Sequence, residues 1–410
     1  MVRNWFRAGR NRCASRSGRD WNRGDFQTSA FICLAVISFG SACGPLVSNQ
    51  TPTATSGWHA ERLAGVPGGF RAVTYDASRN CLWIVTRTSV QADVLKVRLT
   101  RFNISDGSTV PSLLELPTTG AAKGSVAVDS QGLVWLTWGR TLIRYDPDAT
   151  ATQSWALPVL SSVRVHPSVD PVLDGNAVAL AVAGDGEVWL AAQAEQALFG
   201  FNPTLAAWDR NIPLPVVPTP GTRLSVLKPG LLTLNALQGA FPVMAVVSTT
   251  TSGVSVLPPH VGTYVLVGTN EAVYLDENRS FGKLDLISGQ STMLASSAPL
   301  GGAATPAVDL AGNLWFSMVA YHSVGIGKLN LTSGVITSYP FPAVVGASPA
   351  GGSCPTTAFH CVNPDAVFNP DVQAIVVDGS NNVWVINRLP DTGPPTPSVI
   401  SPMYELPAGS

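Results

Sequence analysis

One pattern recurs along this chain about every forty residues, and a chain built that way must fold as an array of like units. Its cleanest copy runs from Val126 to Pro158, VAVDSQGLVWLTWGRTLIRYDPDATATQSWALP. Four short strand candidates, VAV, LVWLT, LIRYD and SWAL, alternate there with turn-forming residues. Val126, Val128, Val134 and Leu136 are apolar at strand spacing, and Asp129-Ser130-Gln131-Gly132 is a hairpin signal between them. Arg140-Thr141 and Asp146-Pro147-Asp148 punctuate the later strands. A lone four-stranded meander cannot bury both of its faces, so neighbouring copies must cover them.

The other copies follow the same plan. The first is AVTYDASRNCLWIVT, residues 72 to 86; the third is VALAVAGDGEVWLAA and the fifth YVLVGTNEAVYLDEN. The sixth is AVDLAGNLWFS and the seventh AIVVDGSNNVWVIN. The fourth, LSVLKPGLLTLNA, is degraded, with Gly230 where Gly132 stands and Thr233 where Trp135 stands. The aligned positions are Trp83, Trp135, Trp189, Thr233, Tyr274, Trp315 and Trp384, so five of the eleven tryptophans fall on one repeat position. A large ring repeated at one place packs between adjacent sheets. A ligand-binding aromatic cage is the alternative, and the apolar residue preceding each position argues against it.

Seven such units set radially predict an all-β fold, a seven-bladed β-propeller of four-stranded antiparallel blades over residues 58–410. The ring must close, because open terminal edges invite aggregation. HAERLAGVP at 59–67 and MYELP at 403–407 are the segments available to complete the seventh blade, and the sequence does not choose which is outermost. The composition agrees: 45% hydrophobic, only 12% charged, with 38 Gly and 32 Pro, it suits a turn-rich β chain and neither disorder nor a helical bundle.

The amino terminus reads as an export signal. Seven arginines between Arg3 and Arg23 precede an apolar run from Ala30 to Phe39 and the small residues Gly40-Ser41-Ala42 before Cys43. The run is too short to span a bilayer as a permanent helix. The segment FGSAC resembles a bacterial lipobox, although Gly40 stands where such motifs carry Leu; the resemblance implies cleavage after residue 42 and acylation of Cys43. Gly40-x-Ala42 also fits ordinary signal peptidase, which would release a secreted protein. Residues 43–57 then form a flexible tether rich in Ser, Thr and Pro. Loss of residues 1–42 leaves the chain near −6, which argues against nucleic acid as a partner.

In a propeller of this strand order, the connections between blades and the loops after each second strand share one face. The two longest between-blade connections are 159–177, carrying Arg164, His166 and Asp170, and 343–370, carrying Cys354, His360, Cys361 and Asp365. Loops of that length in a compact domain are usually functional. An exported location allows a disulfide between Cys354 and Cys361, while Cys81, beside Leu82-Trp83, reads as a buried free thiol. The expected binding rim comprises Trp138, His166, Glu277, His322, His360, Asn387 and Arg388.

The stretch AVDLAGNLWFS followed by IGKLNLTSGVITSYPFP, within 307–342, resembles the repeat of the virginiamycin B lyase (streptogramin lyase) family. It is similar, more loosely, to NHL and SMP-30/gluconolactonase-like propellers. The resemblance implies the propeller fold and, in the lyases, a Mg²⁺-assisted elimination that opens a cyclic depsipeptide. It places His at the head of the innermost strand and Glu just after the second-strand W-x-x. Here the first position holds Gly124, Val178, Thr222, Thr263, Ala304 and Gln373, and the second holds Trp138, Ala192, Met318 and Asn387. Only Glu277, in YLDE, keeps a carboxylate in register.

G-x-S-x-G, H-E-x-x-H, phosphate-loop and dinucleotide motifs do not occur. The sequence therefore reads as an exported, lipid-anchored, monomeric binding or scaffolding propeller of the cell envelope. Its partner would be an envelope protein, a peptide or a glycan, with membrane contact only through the lipid and no cofactor. The alternative is a divergent metal-dependent lyase or lactonase with Glu277, His322 and His360 near its site and Mg²⁺ as its metal.

Overall fold

In the computed structural model, the described residues are 59–61, 69–91, 94–115, 124–158, 177–219, 222–238, 241–257, 264–268, 270–275, 280–295, 306–320, 323–340, 371–388 and 403–408. They form seven four-stranded antiparallel sheets, and every regular element among them is a strand. The chain is a seven-bladed β-propeller. In the first six blades the sheet order follows the chain order. The inner strands are Gly69–Asp76, Gly124–Val128, Ala177–Val182, Leu224–Lys228, Tyr264–Val267, Ala307–Val308 and Asp371–Val377. Several neighbouring inner strands touch one another, which identifies them as the channel wall.

The seventh blade settles the closure. Its inner, second and third strands are Asp371–Val377, Val383–Arg388 and Met403–Leu406, and its outermost strand is His59–Glu61 from the start of the propeller. Ala60 pairs with Tyr404, flanked by His59 with Glu405 and Glu61 with Met403. One blade is thus shared by both ends of the chain, and Met403–Leu406 is not left as its outer edge.

Alternate residues of each second strand face opposite neighbours. Trp135 packs with Leu180, Leu190 and Phe199 of blade three, whereas Val134, Leu136 and Trp138 pack with Trp83, Val85 and Val97 of blade one. The repeated tryptophans all face the following blade, and all five are at most 3% exposed. This is packing, as the sequence predicts.

Each indole is also held by a carboxylate. Asp129 Oδ2 accepts from the Trp135 indole N–H at 2.7 Å, while Oδ1 accepts the backbone N–H groups of Gln131 and Leu133 and so fixes the intervening turn. Asp76, Asp309 and Asp378 serve Trp83, Trp315 and Trp384 in the same way, at 3.1, 2.9 and 2.9 Å. One side chain thus shapes the hairpin and satisfies a buried donor. The left-handed turn residue three before the ring is Gly132, Gly186, Gly230 or Gly312, and in blades one and seven Asn80 and Asn381, the non-glycine type that best tolerates it.

Blade five departs from the aligned pattern. Tyr274 packs against Leu227 and Met244 of the preceding blade, not the following one. Val273, opposite Val265 at the same eight-residue spacing as Trp135 opposite Ala127, holds the ring position and faces blade six; Tyr274 stands one residue beyond and turns to the other face.

Candidate functional site

The face carrying the between-blade connections and the loops after each second strand is described in part. Glu277, His166, His322, His360, Cys43, Cys354 and Cys361 lie outside the described residues, as do Arg164, Asp170 and Asp365. Asn387 and Arg388 close the second strand of blade seven, opposite Val372 and Asp371. Among the described residues no three His, Cys, Asp or Glu side chains gather as a metal site would require. No helix among them is long and apolar enough to cross a membrane.

Trp138, expected on the rim, is instead a core residue with 0% exposure. It falls in the same alternate set as Val134 and Leu136 and so turns toward blade one. Its ring covers Gly124, its ladder partner: a Cβ at Gly124 would lie 3.2 Å from Trp138 Cε3 and 3.0 Å from the Thr137 carbonyl oxygen. The position that the lyase resemblance assigns to a histidine is therefore closed in blade two.

Other residue types hold the equivalent position in the other blades. Thr222 is 7% exposed, and its hydroxyl accepts the Thr219 backbone N–H at 2.6 Å. Arg71, Val178 and Gln373 sit at β-bulges, where the inner strand skips a partner between Phe70 and Ala72, Ala177 and Ala179, and Val372 and Ala374. Bulges at strand starts re-aim side chains around a rim. Ala192 and Met318, at the positions where the resemblance places Glu, are buried hydrocarbon or thioether. Neither Ala192 nor Met318 offers an oxygen donor to a Mg²⁺ ion.

Polar side chains that sequence reading did not single out stand on this face. Arg140, in the loop after the second strand of blade two, pairs with Glu195, in the corresponding loop of blade three, at 2.5 Å. Arg140 also donates to the Pro158 carbonyl at 3.0 Å, and the Glu195 carboxylate is only 3% exposed. The pair ties two blades together at the rim.

Arg223 immediately precedes the inner strand of blade four. It donates from Nη1 to the Pro306 carbonyl at 3.0 Å, at the head of the inner strand of blade six. Burial pushes its guanidinium down to about 10, still charged at neutral pH. Beside it a cavity of about 100 Å³ is lined by Arg223, Ser225, Thr233, Asn235 and Met244 of blade four and by Val265 and Leu266 of blade five. Its signal in the sequence is a double exchange. Thr233 replaces the repeated tryptophan, and Arg223 stands level with the small residues Ala72, Ser125, Ala179 and Ala374 of other blades.

Comparison with protein-family profiles and with curated proteins finds no match. Solved structures do resemble the chain. A streptogramin B lyase aligns with a TM-score of 0.56 at 12% identity, covering 85% of this chain and 96% of the lyase. Virginiamycin B lyase from Staphylococcus aureus gives 0.55 at 14%, covering 85% and 99%. A chain of the mitotic checkpoint complex gives 0.52 at 9%, covering 88% and 96%. Identities this low establish the β-propeller fold that these proteins and this chain have in common, and nothing of its chemistry.

Proposed function

We propose that this chain is an exported, lipid-anchored binding or scaffolding propeller of the cell envelope. It works through the face that carries the between-blade connections and the loops after each second strand. The observation that carries the reading is the closure of lyase-type positions: Gly124 lies under the Trp138 ring, and the Thr222 hydroxyl is turned to its own loop. A lyase or lactonase needs at least two convergent acid and base groups, whereas a binder needs a shaped, partly apolar surface with a few placed polar groups. Arg140 with Glu195, and Arg223 beside its cavity, are the polar groups of the described rim that support the second reading.

Calorimetry of the full chain with Mg²⁺, Ca²⁺, Mn²⁺ and Zn²⁺ tests this, comparing wild type with Glu277→Ala. The expected result is no stoichiometric binding. Binding in the wild type that the substitution abolishes would overturn the reading in favour of the metal-dependent enzyme. Anchoring is tested separately, by radiolabelled fatty-acid incorporation in a bacterial host with and without Cys43→Ser.

A further inference from the structure

We propose that the cavity between blades four and five is a binding site for a carboxylate on a short apolar chain. Arg223 would receive the carboxylate, and Met244, Val265 and Leu266 would hold the first carbons. The site deepens the binding reading above and rests on it.

The argument begins with what the other blades do at this place. In five of them an indole fills the gap toward the following blade and is pinned by a carboxylate. In blade four both partners are gone. Thr233 takes the ring's position and Leu227 stands six residues upstream, where Asp129, Asp309 and Asp378 stand relative to their tryptophans. Thr233 belongs to the alternate set opposite Leu232 and Leu234, which pack on blade three, so it faces blade five, as the tryptophans face their following blades.

The space that an indole fills elsewhere is only partly refilled here, by Tyr274, which turns from blade five onto Leu227 and Met244, and by the long cation Arg223. Were Arg223 merely a strut to Pro306 or a filler for the lost indole, no cavity would need to remain beside it. About 100 Å³ does remain. At roughly 30 Å³ per water, that is room for about three waters, or for one carboxylate with two or three carbons.

The chemistry of the wall selects the ligand. Arg223 has no carboxylate partner among the described residues, and its one acceptor there is a backbone carbonyl. A half-buried guanidinium with no counter-charge among the described residues is costly, and an entering anion relieves that cost while making charge-assisted hydrogen bonds. The hydroxyl groups of Ser225 and Thr233, ladder partners on the same wall, supply further donors. One guanidinium facing a half-apolar cavity matches a single negative charge on a hydrocarbon tail. Phosphate would demand more donors and leave Met244, Val265 and Leu266 against a polar group.

Such a carboxylate can belong to a free short-chain acid or to the C-terminus of a peptide. Calorimetry and ligand-observed NMR on the full chain separate these, using butyrate, its neutral isostere butyramide, inorganic phosphate, and an alanine tetrapeptide with a free or an amidated C-terminus. Butyrate, the free-ended peptide or both should bind at least tenfold more tightly than butyramide, phosphate and the amidated peptide. Arg223→Gln should weaken that binding at least tenfold. If that variant does not fold, the double change Thr233→Trp with Arg223→Ala, which removes the cation and sets a ring in the cavity, should abolish it. Equal binding of butyrate and butyramide, binding of no carboxylate, or binding unchanged in the folded variants would overturn the proposal. Metal binding lost in Glu277→Ala would overturn the binding reading, whereas loss of carboxylate binding alone would overturn only this site, so the two failures are told apart.

Discussion

The indole N–H of Trp189 donates to Glu187 Oε2 at 2.9 Å, from a residue only two positions upstream. Four other blades make this bond from an aspartate at the start of the preceding turn, and in blade three that place is taken by Ala183. The longer Glu side chain reaches the same indole from a different point on the backbone, so the buried donor is satisfied although the motif is broken. Arg210 closes the arrangement, with Nε 3.2 Å from Glu187 Oε1 and its guanidinium carbon 5.9 Å from the Trp189 ring centre.

Removing such a carboxylate should cost more than a surface substitution. Asp309 is 5% exposed and accepts from the Ala311 and Asn313 backbone, the Asn313 side chain and the Trp315 indole. Asp309→Ala leaves these donors without their acceptor and should destabilise by about 3 kcal/mol. Asp309→Asn keeps an oxygen for the turn but turns an amide donor toward another donor, and should cost about half as much. Chemical denaturation of both variants checks this, and an Asp309→Asn variant as stable as wild type would show that the indole bond contributes nothing.

Two of these carboxylates should respond to acid in opposite senses. Burial pushes the Glu187 carboxyl above its ordinary value, and Arg210 offsets only part of that. A group raised in the folded state binds its proton more tightly there than in the unfolded chain. Its contribution is therefore fully present below the unfolded value near 4.5 and is lost as pH rises through the folded value. Burial also pushes Asp76 up, but hydrogen bonds from Ser78, Trp83 and Arg79 outweigh it and leave the carboxyl below its ordinary 3.8. Its contribution is present above 3.8 and lost as pH falls through the folded value. Denaturation midpoints followed from about pH 3 to 7 should show Glu187→Gln losing least, relative to wild type, at the upper end and Asp76→Asn losing least at the lower end.

Cys81 should be inert in the folded chain. It is 0% exposed, and burial pushes its thiol up to about 12, with Asp76 adding to the effect. Alkylation at neutral pH, mapped by peptide mass, should leave Cys81 unmodified until denaturant is added, because the thiolate is the reacting form. Labelling in native buffer at the rate of a free thiol would contradict the packing around Trp83.

The architecture was legible because each blade repeats one apolar alternation and one turn, and five tryptophans mark the register. Three things were hidden. The closing strand is the tripeptide His59–Glu61, too short to show periodicity. Tyr274 stands one residue past the repeat position, which Val273 holds, and alignment by residue type cannot see that offset. The rim assignment of Trp138 failed because the last residue of a strand still obeys its alternation, and that alternation pointed it into the core. The site was less legible still. Arg223 lies in the most degraded copy, and it stands out only once Thr233 is read as a lost ring and the level residues in other blades are seen to be small.

The shared seventh blade gives the last prediction. Ala60→Pro places a residue without an N–H in the middle of the outermost strand, opposite Tyr404. A proline on an edge strand elsewhere in the ring should disturb one blade's rim; here it should also release the joint between the two ends of the propeller. Ser255→Pro, in the outermost strand of blade four, is the control, since Ser255 likewise pairs with one neighbour, Val246. Losing the three-residue ladder of His59–Glu61 should cost about 2 to 3 kcal/mol, at about 1 kcal/mol per bond. It also uncovers the outer edge of Met403–Leu406, so the variant should associate at concentrations where the control stays dispersed. Denaturant midpoints with light scattering decide the point: equal cost and equal dispersion in the two variants would mean that the terminal strand is an ornament of the ring and not its clasp.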